Sequence, residues 1–143
     1  MDVEPAPDVE EMVKDIVGAL SYGHINEFRI VSMRSRNAKA NAYARIWNLP
    51  DIWQKALGVG AFYVIEVVSQ HYDRLSAEEK EKVLIHELLH IPKTFSGALR
   101  PHHGQHVKIN DRTVSALHKI YKERKKEIAN AGKASLETAE ARF

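Results

Sequence analysis

Residues 82–92 read KVLIHELLHIP, and this stretch constrains the fold more than any other. Leu84, Ile85, Leu88, Leu89 and Ile91 would make a helix here apolar almost all the way round, the mark of a buried helix. The same turns carry His86, Glu87 and His90. Two imidazoles and a carboxyl in an apolar interior carry a heavy desolvation cost unless they share a metal ion or are fully hydrogen-bonded. Such a helix needs other elements to cover it and polar partners from elsewhere in the chain. Ser76 and Glu79 form a capping-box pattern ahead of it and Pro92 stops it, so the pattern predicts a helix over about 77–91.

The covering elements are legible from periodicity. Val9, Met12, Val13, Ile16, Val17 and Leu20 recur at helical spacing, which predicts an amphipathic helix over 9–21 with Asp8 and Glu11 as its capping pair. Residues 27–33 and 42–49 alternate as strands do, and 61–68 (AFYVIEVV) is nearly continuously apolar, as in a strand covered on both faces. DIWQKAL predicts a short helix ending at Gly58. A last helix, capped by Asn110 or Asp111, carries Val114, Leu117, Ile120 and Tyr121 and should end near Gly132. Trp47 and Trp53, flanking Asn-Leu-Pro, are expected to anchor the core. The order predicts an α+β fold with a small sheet of about three strands on the central helix. One domain is expected over 9–132, between a leader at 1–8 and a flexible tail at 133–143.

At 143 residues the chain can bury a core without disulfides, and it has no cysteine. Zinc ribbons and fingers built on thiolates are thereby excluded, and a metal site must use nitrogen and oxygen donors. No apolar run is long enough to span a membrane, and the acidic start lacks the basic, then apolar, pattern of a secretory signal, so a cytoplasmic location is expected. Residues 1–15 hold six acids against Lys14, a charge of −5, so with a total of +2 the rest carries +7. Two basic runs, Arg34, Arg36, Lys39, Arg45 and Lys119, Lys122, Arg124, Lys125, Lys126, would suit nucleic acid, but neither has interleaved aromatics for stacking bases.

His86 and His90, four apart on a helix, project from one face, so both can reach one ion. Glu87 between them is better placed to touch a water at that ion than to ligate it, which is the logic of H-E-x-x-H zinc sites. A catalytic zinc takes a third protein ligand. The metzincin continuation fails, because Lys93 and Ser96 stand where glycine and histidine are required. Glu123 or Glu127 would make a thermolysin-like site. The richer source is RPHHGQH, where His103 is preferred and His106 and His102 are the alternatives; spacing alone leaves the three open. His118 reads as structural, and Tyr72, Arg100 and His106 are candidates for stabilising an oxyanion.

The stretches LPDIWQKALGVGAFYVIEV and LSAEEKEKVLIHELLHIPKTFSGALRPHHGQHVKI resemble the HExxH metallopeptidases of archaea and phages, a group related to the SprT-like zinc metalloproteases. The motif-bearing part covers about 76–110, with a looser match back to about 28. The resemblance implies a minimal zincin-like fold, one zinc ion on His86, His90 and His103 (the histidine before Gly104), and Glu87 as general base acting on a peptide or protein substrate. The cysteine-based ribbon that many SprT-like proteins carry is absent. The alternative is a binding module, with nucleic acid as one partner it could take, in which zinc is structural and HHGQH supplies a fourth ligand. Peptide deformylase also uses H-E-x-x-H but needs a cysteine ligand that this chain lacks.

Overall fold

The computed structural model describes residues 2–104 and 108–141, with side chains to residue 134. Its elements are β1 (Asp2–Pro5), α1 (Pro7–Ala19), a 3₁₀ turn (Glu27–Arg29), β2 (Ile30–Arg36), β3 (Ala44–Asn48), α2 (Asp51–Leu57), β4 (Tyr63–Val68), α3 (Ser69–Tyr72), α4 (Ala77–Leu89) and α5 (Asp111–Ala141). The strands form one mixed sheet in the order β1-β2-β4-β3. β2 and β4 are parallel, while β1 and β3 pair antiparallel to β2 and β4 respectively. β3 is thus an edge strand. The fold is α+β as expected, but the sheet has four strands rather than about three. The extra one, β1, comes from residues expected to be a leader. It is only four residues long, ends in proline and is exposed throughout, too short a run for periodicity to reveal it.

β4 places Tyr63, Ile65 and Val67 on one face, all fully buried against the helices. α4 meets them with Leu84, Ile85 and Leu88, and α1 adds Val9, Val13 and Ile16. Each of these aliphatic side chains contributes about 1.5–3 kcal/mol by leaving water. This packing fixes α4 across the sheet and turns one of its faces toward β3.

Three local expectations change. α1 begins two residues earlier than its capping pattern implied, at Pro7 instead of 9. Pro7 takes the first turn, there is no side-chain cap, and the Asp8 carboxylate instead accepts two hydrogen bonds from Arg34 at 2.8 and 3.0 Å. The last helix continues through Gly132 to Ala141. Trp47 and Trp53 do not anchor the core; they are 50% and 57% exposed. Trp47 lies on the sheet face away from the helices and donates to Glu66 at 2.9 Å, and α2, which carries Trp53, buries none of its residues. No described helix is long and apolar enough to cross a membrane.

Candidate metal centre

α4 starts with the expected capping box: Ser76 Oγ accepts from the Glu79 amide, and the Glu79 carboxylate accepts from the Ser76 amide, both at 3.2 Å. The helix ends at Leu89 with His90 as its C-cap, and the four-residue spacing puts His86 and His90 on the same face, with ring centroids 5.3 Å apart. His102 closes the group. Its ring lies 5.2 Å from that of His86 and 4.7 Å from that of His90, and the Nε2 atoms of His86 and His102 are 3.1 Å apart. One ring nitrogen from each of the three lies within 4.8 Å of the others, an arrangement that could hold a metal ion.

The loop after α4 delivers His102, and it is tied down at several points. The Tyr63 hydroxyl donates to Ala98 O at 2.8 Å and accepts from the Gly97 amide at 2.9 Å. Asn48 Nδ2 donates to Gly97 O at 2.7 Å, and Gln54 Nε2 donates to Leu49 O at 2.9 Å beneath the same loop. Gly97 has φ +93°, which a side chain would strain, and Phe95 occupies the left-handed region at φ +48°. The Phe95 ring packs edge-on to Tyr63 at 5.1 Å, an apolar contact that offsets the roughly 1 kcal/mol conformational cost.

The last tie is reciprocal. Arg100 N–H donates to His90 O at 2.7 Å, and Arg100 O accepts from His90 Nδ1 at 2.6 Å. A carbonyl can only accept, so Nδ1 of His90 carries the proton and Nε2 is left with its lone pair for a metal.

Beyond His102 the chain turns back. His103 forms an antiparallel bridge with Lys108, and Ile109 N–H donates to His102 O at 3.0 Å. His102 lies in the turn just ahead of that bridge. Both His102 and His103 are exposed, but it is the ring of His102 that groups with His86 and His90. His106 lies outside the described residues. Glu123 and Glu127 are exposed on α5, and neither groups with the histidines. Of the groups considered for an oxyanion, Arg100 lines the cleft, Tyr72 is in the core at 1% exposure, and His106 is not described.

Glu87 is 8% exposed, and among the described residues its carboxyl has no hydrogen-bond partner. Burial pushes it up to about 8. Burial also holds His86 and His90 below the ordinary histidine range, with the neighbouring imidazoles adding to the effect. Asp111 opposes the shift at His86, and the Arg100 carbonyl opposes it at His90. Neutral imidazole is the form that ligates metals.

The histidines sit on the floor of a cleft bounded by β3. One half, about 570 Å³, is walled by Ala42, Tyr43, Val83, Asp111 and Val114, and the other, about 610 Å³, by Ile46, Leu99, Arg100 and His102. Ala42, Ala44, His86 and Glu87 belong to both halves. The sequence did not point to Tyr63, Asn48 or Gln54, because an anchoring hydroxyl or amide leaves no periodic trace.

The model of one protein family, described as "Putative phage metallopeptidase", matches residues 1–133. Neither the curated proteins nor the solved structures contain a match. With nearly the whole chain covered, histidine cluster and loop included, the chain belongs to that phage metallopeptidase family.

Proposed function

We propose that the protein is a zinc-dependent peptidase in which His86, His90 and His102 hold one ion and Glu87 is the general base. The observation that carries this reading is the convergence of three imidazoles beside a buried, unpartnered carboxyl in an open cleft. The donor set fits the ion. Tetrahedral zinc with bonds of about 2.0–2.1 Å needs its nitrogens about 3.3 Å apart, and Nε2 of His86 and His102 are 3.1 Å apart.

When bound, zinc supplies Lewis acidity, polarising a carbonyl and bringing water at the site to a pKa of about 7. The chain supplies the rest. His90 is held in the ligating tautomer by the Arg100 carbonyl. Glu87 takes the proton of the attacking water at its carboxylate and returns it to the nitrogen of the leaving amine. β3 offers an unpaired edge beside the histidines, where an extended peptide can add as a further antiparallel strand. A peptide running opposite to β3 enters at Ile46 and leaves at Ala42, which puts its residues after the scissile bond in the half walled by Val83 and Val114.

The test is digestion of a peptide mixture by the zinc-loaded protein and by Glu87→Gln, with bound metal measured in both and located in crystals by anomalous scattering at the zinc edge. The variant should keep its metal and cleave at least about a hundredfold more slowly. Cleavage at the parent rate overturns the mechanism. Loss of metal from His103→Ala or His106→Ala would instead indicate a closed, structural site.

A further inference from the structure

The half of the cleft toward Ile46 and Leu99 carries positive charge that the described residues do not neutralise. Five arginines are half-buried: Arg29, Arg34, Arg45, Arg100 and Arg124. Arg34 pairs with Asp8 and Asp73, and Arg45 with Glu66. Arg124 donates to Ala19 O, and Arg29 lies over the Phe62 ring. The guanidinium of Arg100 has no ion pair or hydrogen bond among the described residues, although it lines the cleft beside His90 and His102. Its backbone is fixed by both hydrogen bonds to His90, so the side chain starts from a set position. Lys93 and His24 are close enough to feel its charge but line neither half of the cleft; burial first, then the charges of Arg100 and Lys93, disfavour protonation of His24. An unpaired guanidinium on the wall of a cleft is complementary to an incoming anion.

The cleft's direction says where that anion sits. A peptide antiparallel to β3 reaches the Ile46–Arg100 end with the residues that precede its scissile bond. We propose that Arg100 is a carboxylate subsite, and that the enzyme selects peptides with Asp or Glu on the N-terminal side of the bond it cuts. This inference rests on the peptidase reading above. The guanidinium is suited to the role because its planar fork can donate two parallel hydrogen bonds to a carboxylate.

The experiment starts from a peptide that the zinc-loaded protein cleaves, identified from a peptide mixture by mass spectrometry. That peptide is resynthesised with Glu, Gln or Lys in turn at each of the positions preceding the cut, and each version is made with a free and an amidated C-terminus. At low salt, Glu should exceed Gln by about tenfold or more in kcat/KM at one such position, with Lys poorer still, and the preference should shrink in high salt. Arg100→Gln should abolish the preference with metal content unchanged, and Arg100→Lys should keep part of it. Equal cleavage of the Glu and Gln peptides overturns the proposal, as does a preference that survives Arg100→Gln. A preference that tracks the free C-terminus instead of the inserted Glu overturns the upstream placement and means that the peptide binds in the opposite direction. If the parent cleaves nothing, the peptidase reading fails by itself. Fluorescence anisotropy of labelled Glu- and Gln-containing peptides on the zinc-loaded protein then decides the subsite, and equal affinity refutes it.

Discussion

Helix α4 carries two buried glutamates, each next to histidine, and they are treated in opposite ways. Glu81, 8% exposed, faces α5. Its carboxylate accepts from His118 Nε2 at 2.9 Å, with the Lys122 ammonium at 3.8 Å. Beside it, the Tyr121 hydroxyl donates to Asp15 at 2.7 Å, and Lys125 reaches the same Asp15 oxygen at 2.9 Å. Glu87, six residues on and equally buried, has no described partner, and its nearby imidazoles crowd one another instead. One cluster is satisfied by hydrogen bonds within the chain; in the other, three imidazoles that could hold a metal ion stand beside a carboxyl with no described partner. Residue type and burial therefore do not separate a structural polar cluster from a candidate metal centre, whereas the hydrogen-bond count does.

The largest effects should come from breaking the two clusters in parallel. His102→Ala should weaken zinc at least about a hundredfold, measured by competition with a chelator, and leave the fold intact. His118→Ala should leave zinc affinity unchanged and lower stability to urea by about 2–3 kcal/mol, because Glu81 loses its closest partner. If His118→Ala also releases zinc, the clusters are coupled through α4 and the contrast fails. His103→Ala makes the comparison finer: with its ring outside the histidine group, zinc affinity should hold.

Protonation separates the glutamates next. In metal-free protein Glu87 titrates near 8, well above an ordinary carboxyl. The sign follows: the folded state binds this proton more tightly than the unfolded state, so the stabilisation is full below about 4.5 and is lost as pH rises toward and past 8. Between about pH 6.5 and 8.5, metal-free parent should lose up to a few kcal/mol of stability. Metal-free Glu87→Gln should show a much flatter profile, and Glu81→Gln should follow the parent's slope from a lower starting stability. Urea melts across that pH range decide the matter; a Glu87→Gln profile parallel to the parent's would show that the carboxyl is hydrated rather than buried.

How much of this could be read from the sequence depends on the kind of signal. α4 was legible because Ser76, Glu79, Pro92 and an apolar run all agree on its bounds. His86, Glu87 and His90 share one helix, so their mutual geometry follows from helical spacing alone. His102 was only one of three candidates, because its position is decided by where the chain turns after Pro101, and a one-residue difference there changes which histidine joins the group. β1 and the exposed tryptophans were missed for a related reason: both depend on contacts with distant residues, Arg36 and Glu4 at the first edge and Glu66 under Trp47.

The loop that carries His102 allows a more moderate test. Tyr63→Phe keeps the ring against Phe95 and removes only the hydroxyl that holds Gly97 and Ala98. Outer residues that orient a ligand commonly change metal affinity by about 10–100-fold. A loss near tenfold is expected here, because Asn48 and the His90–Arg100 pair still hold the loop. Unchanged zinc affinity would mean that the Arg100 ties position His102 by themselves.

The smallest effect probes whether the helix start matters to the site. Ser76→Ala removes the acceptor for the Glu79 amide and with it half of the capping box, which costs about 1 kcal/mol. His86 lies ten residues beyond Ser76, nearly three turns along α4, and the turns between are fixed by Leu84 and Ile85 in the core. The loss should therefore show in urea melts of the metal-free protein and leave the zinc dissociation constant unchanged. A matching loss of zinc affinity would mean that fraying at Ser76 reaches the histidines. The packed middle of α4 would then be a weaker barrier between its two ends than its burial implies.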